Sequence, residues 1–324
     1  MTHSVMVRAA LTLLLFALPF SACAQDKFPQ HLIQLIVPFA PGTATDVVGR
    51  VIAERLASNV GQRVVVIDRP GGGGIIGTDA VAKATPDGYT LLLVNSTHSS
   101  NAVVHKSLPY DTVRDFSPIA LVAEAPGVLV VPSTLGVRTL KEFVALIRAN
   151  PNKYNYGTSG VGSGTHFGAL NFLARAGIQM VAVHYKGSEI MQDILAGRIH
   201  FLVAPLQALL PGIHEGRLIP LAVASREPMR TPIELETVEK TADLPGFEHA
   251  LYYSFFAPAK TPRPVIDALS TELLRIVQQK EVRDRFSTMA TFPRSVGPDE
   301  LGAFIRADIE KAAALLKSAG IEPE

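Results

Sequence analysis

Val37-Pro38-Phe39-Ala40-Pro41-Gly42-Thr43-Ala44-Thr45-Asp46 joins an apolar run to a helical pattern, and its reading decides the fold. The preceding run, Leu32 to Val37, has the composition of a buried strand. After it, Val47, Val48, Val51, Ile52 and Leu56 recur at helical spacing. Thr43 and Asp46 stand three apart, which is capping-box spacing with Asp in place of Glu. A helix starting there leaves backbone N–H groups without intrahelical acceptors, at the positive end of its dipole. No Lys or Arg lies in the loop, so an anion would be met by backbone alone. By spacing alone, an ordinary strand-to-helix connection fits equally well.

Further along, strand-like and helix-like runs alternate. Val64–Asp68 and Thr90–Val94 are predicted strands, with helices between them and a glycine run at Gly71–Gly74. This β-α-β-α-β order implies parallel strands with right-handed crossovers. A less regular stretch, Asn95 to Pro118, follows. Ile119–Ala123 and Val128–Val131 are read as separate strands. Tyr154–Thr158 then enters a second glycine-rich loop, Ser159–His166, and another helix. The fold class predicted is α/β: a hinged pair of lobes with a parallel or mixed sheet in each. Two hinge crossings are expected, near Ala125–Val131 and Tyr252–Pro258. The expected boundaries are a leader at 1–24, a first lobe at 25–127, a second at 128–252, and a helical return to the first at 253–324. Loops at the carboxyl ends of parallel strands face the ligand crevice in such sheets, so the two glycine-rich loops are the candidate site.

Composition narrows the function. The chain has 324 residues, 48% of them hydrophobic, with 30 Lys and Arg against 29 Asp and Glu. That balance gives no basic stripe for nucleic acid. Arg8, the apolar run Ala9–Pro19 and the site Ala22-Cys23-Ala24 form an export leader, with cleavage expected before Gln25. A lipid anchor on Cys23 is the competing reading, but Phe20 stands where such signals usually have Leu. Cleavage removes the only cysteine, so the mature chain has neither disulfide nor thiolate chemistry. The expected location is the periplasm.

Several motifs fall short of chemistry. Gly72-x-Gly74-x-x-Gly77 matches a dinucleotide fingerprint, but Asn95-Ser96 stands where its acidic residue belongs. Gly157-Thr158-Ser159-Gly160-Val161 lacks the last glycine of a nucleophile elbow. No histidine pair has metal-ligand spacing. No metal, cofactor or catalytic residue is expected. The alternative reading is an exported serine hydrolase using Ser159 and His166.

Pro38-Phe39-Ala40-Pro41-Gly42 with Thr45-Asp46 resembles the opening of the Bug proteins, the TctC-like extracytoplasmic receptors of tripartite tricarboxylate transporters. The resemblance continues through Asp68-Arg69-Pro70-Gly71, Pro86-Asp87-Gly88-Tyr89, Leu108-Pro109-Tyr110-Asp111, Tyr156–Ser163, His184-Tyr185-Lys186-Gly187 and Phe255-Phe256-Ala257-Pro258. It covers essentially the whole mature chain. It implies a monomeric periplasmic receptor that closes on a small carboxylate and docks on a permease of two membrane subunits. The first-lobe contacts it implies are Phe39, Gly42, Thr43, Ala44, Thr45 and Asp46. The opposite wall falls on Ser159, Gly160, Ser163, Thr165 and His166. Asn95, Ser96, His98, Tyr185 and Lys186 are further candidates, with Lys186 either a counter-charge or a solvated side chain. Thr43 and Ile75 depart from the family pattern. So does Ala204, where the family commonly has an acidic residue, and this favours a plain or aromatic carboxylate over an amino acid.

Overall fold

The computed structural model describes residues 28–185, 189–230 and 232–323. The expected leader, its cleavage site before Gln25, and Lys186 lie outside the described residues. By contact the chain divides into Met1–Gln30 and His31–Glu324, and every element below belongs to the second unit.

Strand β1 (Ile33–Val37) carries four buried side chains out of five, as its apolar run requires. Helix α1 (Ala44–Val60) follows, capped by Thr43 and stopped by Gly61 in the left-handed conformation. Then come β2 (Val64–Asp68), α2 (Ile75–Ala82) and β3 (Thr90–Asn95). β1 lies between β2 and β3, parallel to both. The glycines of the apparent dinucleotide fingerprint serve packing at α2. A Cβ on Gly77 would lie 2.8 Å from both the Arg69 carbonyl and Pro38 Cβ, so helix and strand could not approach this closely with any other residue.

Helix α3 (Thr97–Val104) sits inside the stretch read as irregular. Thr-His-Ser-Ser-Asn contains poor helix formers, so local propensity does not announce it. Tertiary contact holds it instead. Ser99 Oγ is hydrogen-bonded to Tyr252 Oη at 2.6 Å, and His98 is buried.

Strand β4 (Phe116–Pro132) is one strand of 17 residues where two were expected. Its first part pairs with β9 (Ala250–Pro258) as far as Pro126 opposite Ala250, and with the edge strand β10 (Phe292–Val296). From Gly127 onward it pairs with β7 (Leu202–Pro205) and β8 (Leu218–Val223). Pro126 has no N–H, and a Pro-Gly pair reads as a break. Here the backbone carries straight through. The Gly127 N–H donates to the His249 carbonyl at 2.9 Å, and the Gly127 carbonyl accepts from Ala224 at 2.8 Å. The strand changes partners at Pro126–Gly127 without interruption. The return passes through His249–Ala250, since β9 is in the first sheet from its first residue.

The first sheet runs β10-β4-β9-β3-β1-β2. On the far side of the switch, α4 (Leu140–Ala149) precedes β5 (Asn155–Thr158), α5 (Gly164–Ala176), β6 (Val181–His184) and α6 (Glu189–Leu195). β5 and β6 pair in parallel, and β5 is bonded to the chain entering β7 through Gly157 N–H to the Phe201 carbonyl. α7 (Leu206–His214) and α8 (Val238–Ala242) complete this half. The C-terminal helices are α9 (Arg263–Val277), α10 (Lys280–Ser287) and α11 (Pro298–Ser318). Leu301 and Ile305 of α11 pack in one cluster with Leu92, Leu121 and Phe256 of the first sheet. Among the described residues no helix is long and apolar enough to cross a membrane.

Candidate functional site

The two glycine-rich loops have the same construction. In the first, Gly42 takes φ +81° and Thr43 takes φ −68°, ψ 158°. Thr43 Oγ1 donates to the Ala40 carbonyl at 2.8 Å and accepts from the Asp46 N–H at 3.5 Å. One Asp46 oxygen reaches back to accept the Gly42 N–H at 2.7 Å. In the second loop, Gly162 takes φ +75° and Ser163 takes φ −67°, ψ 159°. Ser163 Oγ donates to the Gly160 carbonyl at 2.8 Å and accepts from the His166 N–H at 3.2 Å. His166 Nδ1 accepts the Gly162 N–H at 3.0 Å. Gly42-Thr43-Ala44-Thr45-Asp46 and Gly162-Ser163-Gly164-Thr165-His166 are one turn used twice.

This turn satisfies every loop donor around the cap and leaves the first two helical N–H groups over. Among the described residues Ala44 and Thr45 N–H take no protein acceptor, nor do Gly164 and Thr165 N–H. Each pair points out of a helix start, where the dipole adds partial positive charge. Each loop can thus offer two free N–H donors to an anion, a two-donor cradle.

α3 sets the spacing between the cradles. At its start, Asn95 Nδ2 donates to Thr45 Oγ1 at 3.2 Å, and Asn95 Oδ1 caps the Thr97 N–H at 3.0 Å. At its end, Val104 packs with Val161, Phe167 and Leu316. A Cβ on Gly162 would lie 2.2 Å from Val104 Cγ2. α3 thus touches the first loop at its start and the second at its end, and its eight residues rise about 12 Å. Gly162→Ala is expected to force this contact open and to strain a left-handed backbone position. The expected loss is about 2–4 kcal/mol, adding about 1 for the backbone to about 1–3 for overpacking. Chemical denaturation reads it, and an unchanged midpoint would show that Val104 yields freely.

Several predicted contacts are otherwise engaged. The second Asp46 oxygen lies 2.7 Å from Arg50 Nε, and Arg50 also holds Asp68 at 2.6 Å, so Asp46 is committed to the loop's own structure. Burial first, and the Asp46 charge second, raise the Asp68 carboxyl above its usual range. His98, a predicted contact, is corrected. Its ring is 1% exposed and lies against Phe116 and Phe256, in the core of the first sheet. Ala204 is also corrected. It is 6% exposed, opposite Val128 in an apolar cluster, which leaves almost no surface for a ligand. Tyr185 Oη donates to Asp193 at 2.6 Å, and burial followed by Asp193 pushes the phenol up to about 12. Phe39 is half-buried with its ring against Gly74. Ser96 precedes α3, and its carbonyl accepts from Ser100 Oγ at 3.2 Å.

The hydrolase reading fails on geometry. Ser159 Oγ is bonded to Thr165 Oγ1 at 2.9 Å. No hydrogen bond joins Ser159 to His166 among the described residues; His166 Nδ1 accepts the Gly162 N–H, and the ring is 1% exposed. Burial and the neighbouring His184 lower the ring to about 4, so it stays neutral at pH 7. Gly160 instead donates to Thr158 Oγ1 at 3.1 Å. No cluster of metal-ligating side chains occurs among the described residues. Sequence reasoning missed Gly162 and Gly164, although the repeated Gly-hydroxyl-x-Thr pattern carried the signal.

Residues 48–321 match the tripartite tricarboxylate transporter family receptor. The Bordetella pertussis protein BugT is 33% identical over 309 residues, covering 94% of this chain and 93% of BugT. Among solved structures, R. palustris Rpa4515 with adipate is 30% identical with a TM-score of 0.80, covering 92% of this chain and 100% of that one. The periplasmic binding protein BugD is 28% identical with a TM-score of 0.77, again covering 92% and 100%. The resemblance in the loops, the two-lobe α/β architecture and these matches agree, and the chain belongs to the family of tripartite tricarboxylate transporter receptors.

Proposed function

We propose that this receptor captures a small organic carboxylate between its two glycine-rich loops and releases it unchanged. The observation that carries the reading is the duplicated turn, with the spare N–H pairs at Ala44–Thr45 and Gly164–Thr165. A carboxylate oxygen accepting such donors gains charge-assisted hydrogen bonds of about 1.5–3 kcal/mol each. Two cradles suit a dicarboxylate, one group per loop, and the related R. palustris structure holds adipate. The lobes would comprise residues 25–127 with 253–324, and 128–252, the partner switch in β4 acting as hinge. Contacts from both lobes are needed, because a ligand shifts an open–closed balance only by its differential affinity. The mature monomer, cut before Gln25, would deliver its load to membrane permease subunits without any cofactor.

A thermal-shift screen tests this. The purified protein is unfolded, refolded to strip carried ligand, and heated with mono-, di- and aromatic carboxylates. At least one dicarboxylate at 1 mM is expected to raise Tm by several degrees, and the matching diamide to leave it unmoved. Equal shifts from acid and amide would overturn the carboxylate reading.

A further inference from the structure

A cavity of about 650 Å³ lies beside the strand switch and meets the second loop at Gly164. Of the loop and capping residues only Ser96 and Gly164 border it. Its walls come from both sides of the crossings: Glu124 and Pro126 of β4, the segment from Ala224 to Arg230, His249 and Tyr252, and α11. That volume is within the range of small-molecule sites. Phe167, Met229, Phe292 and Phe304 line much of it, and Phe304 is 38% exposed with its ring edge-on to Tyr252.

One acid in this wall is poorly compensated. The Glu124 side chain is two-thirds covered, and its ion pair with Arg294 is a single long contact of 3.4 Å. Burial raises its pKa, Arg294 opposes this, and Glu248 adds a further push upward. Arg226 pairs with Glu248 at 2.5 Å and adds a smaller pull downward on Glu124. Arg230 and Lys311, also in the lining, make no ion pair with Glu124 among the described residues; Arg230 is held by Glu236 at 3.4 Å. Asp308 accepts from Tyr252 Oη and has no cationic partner among the described residues. An ammonium group would relieve Glu124, and an aromatic body attached to it would cover the phenylalanine faces.

We infer that this hinge cavity is a second binding site, taking a small primary amine with an aromatic or aliphatic body. The ammonium sits at Glu124 and the body lies between Phe167, Phe304 and Met229. Bound there, the amine touches both sides of the two crossings at once.

Isothermal titration of the refolded full-length mature protein with benzylammonium chloride tests the inference, with benzyl alcohol as the uncharged probe. Benzylammonium is expected to bind at least tenfold more tightly than the alcohol. Glu124→Gln should remove that tenfold preference. Phe304→Ala, on a partly exposed helix face where folding is not at risk, should weaken benzylammonium at least fivefold. The site is overturned if benzylammonium gives no heat at 10 mM. Equal binding of amine and alcohol overturns it, as does an unchanged affinity in Phe304→Ala. Neither probe carries a carboxylate, so these readouts hold or fail independently of the carboxylate reading.

Discussion

Replacing Ala44 by proline is expected to weaken carboxylate binding by about tenfold to a hundredfold while leaving the fold as stable as before. Ala44 is the first helical residue of α1, and its N–H has no acceptor within the protein among the described residues. Proline is favoured at that position because the N–H it removes is an orphan in any case. Thr43, with ψ 158°, already has the extended conformation that a residue before proline must take. The substitution therefore deletes one donor and little else. A charge-assisted hydrogen bond contributes about 1.5–3 kcal/mol, and each 1.4 is a factor of ten in Kd. Titration of a carboxylate that the thermal screen identifies measures the loss, and the melting temperature reports on the fold. Ala44→Ser keeps the N–H and should bind within about twofold of the parent. Unchanged affinity in Ala44→Pro would remove the first loop from the site.

Acidification below about pH 6.5 should cost this protein stability through its buried histidines. Burial lowers the His98 ring to about 4, against a smaller opposing pull from the Thr112 backbone, and His166 is also lowered to about 4. In the unfolded chain both rings titrate near 6.5. Between these values the unfolded state takes up protons that the folded state refuses, so stability rises with pH in that window. The contribution is complete above pH 6.5 and is lost as pH falls toward 4. The gap is worth about 3 kcal/mol for each fully buried ring. Melting temperatures between pH 7.5 and 4.5 should fall steeply below 6.5. His249 is lowered to about 4 as well, by burial first, so His98→Phe, placed among Phe116 and Phe256, should flatten that fall by up to about a third. An unchanged slope would mean that another group governs the acid limb. Protonation of His166 has a local consequence too. Its Nδ1 would become a donor facing the Gly162 N–H, so the second loop is expected to loosen on acidification.

The alternation of strands and helices was legible because each run repeats a simple period: two-sided apolar strands such as Leu91–Val94 and one-sided helices such as α4, with its complete Thr139–Glu142 capping box. The loops were legible because glycine before a hydroxyl residue is a helix-start signal. What escaped was whatever depends on distant residues. α3 is held by Tyr252 and by core burial of His98, neither visible in its own composition. β10 is an edge strand containing Pro293, with two exposed residues, and no hydrophobic run marks it. His98 follows a site-bearing strand end and is polar, so it was read as a contact. Its neighbours Phe116 and Phe256 lie far away in sequence, and they decide that it faces the core. Asp46 was read as part of the anchor, and its partner Arg50 lies one helical turn on, at a spacing where an ion pair was legible.

A continuous ribbon from Phe116 to Pro132 supplies an interior strand to each of two sheets. A fragment ending at Pro126 would leave β7 and β8 with nothing between them, and one starting at Gly127 would leave a gap between β9 and β10. Neither half can close its hydrogen-bonding pattern without residues belonging to the other. Either half expressed alone is therefore expected to fail to fold, so the two cannot be trimmed or transplanted separately.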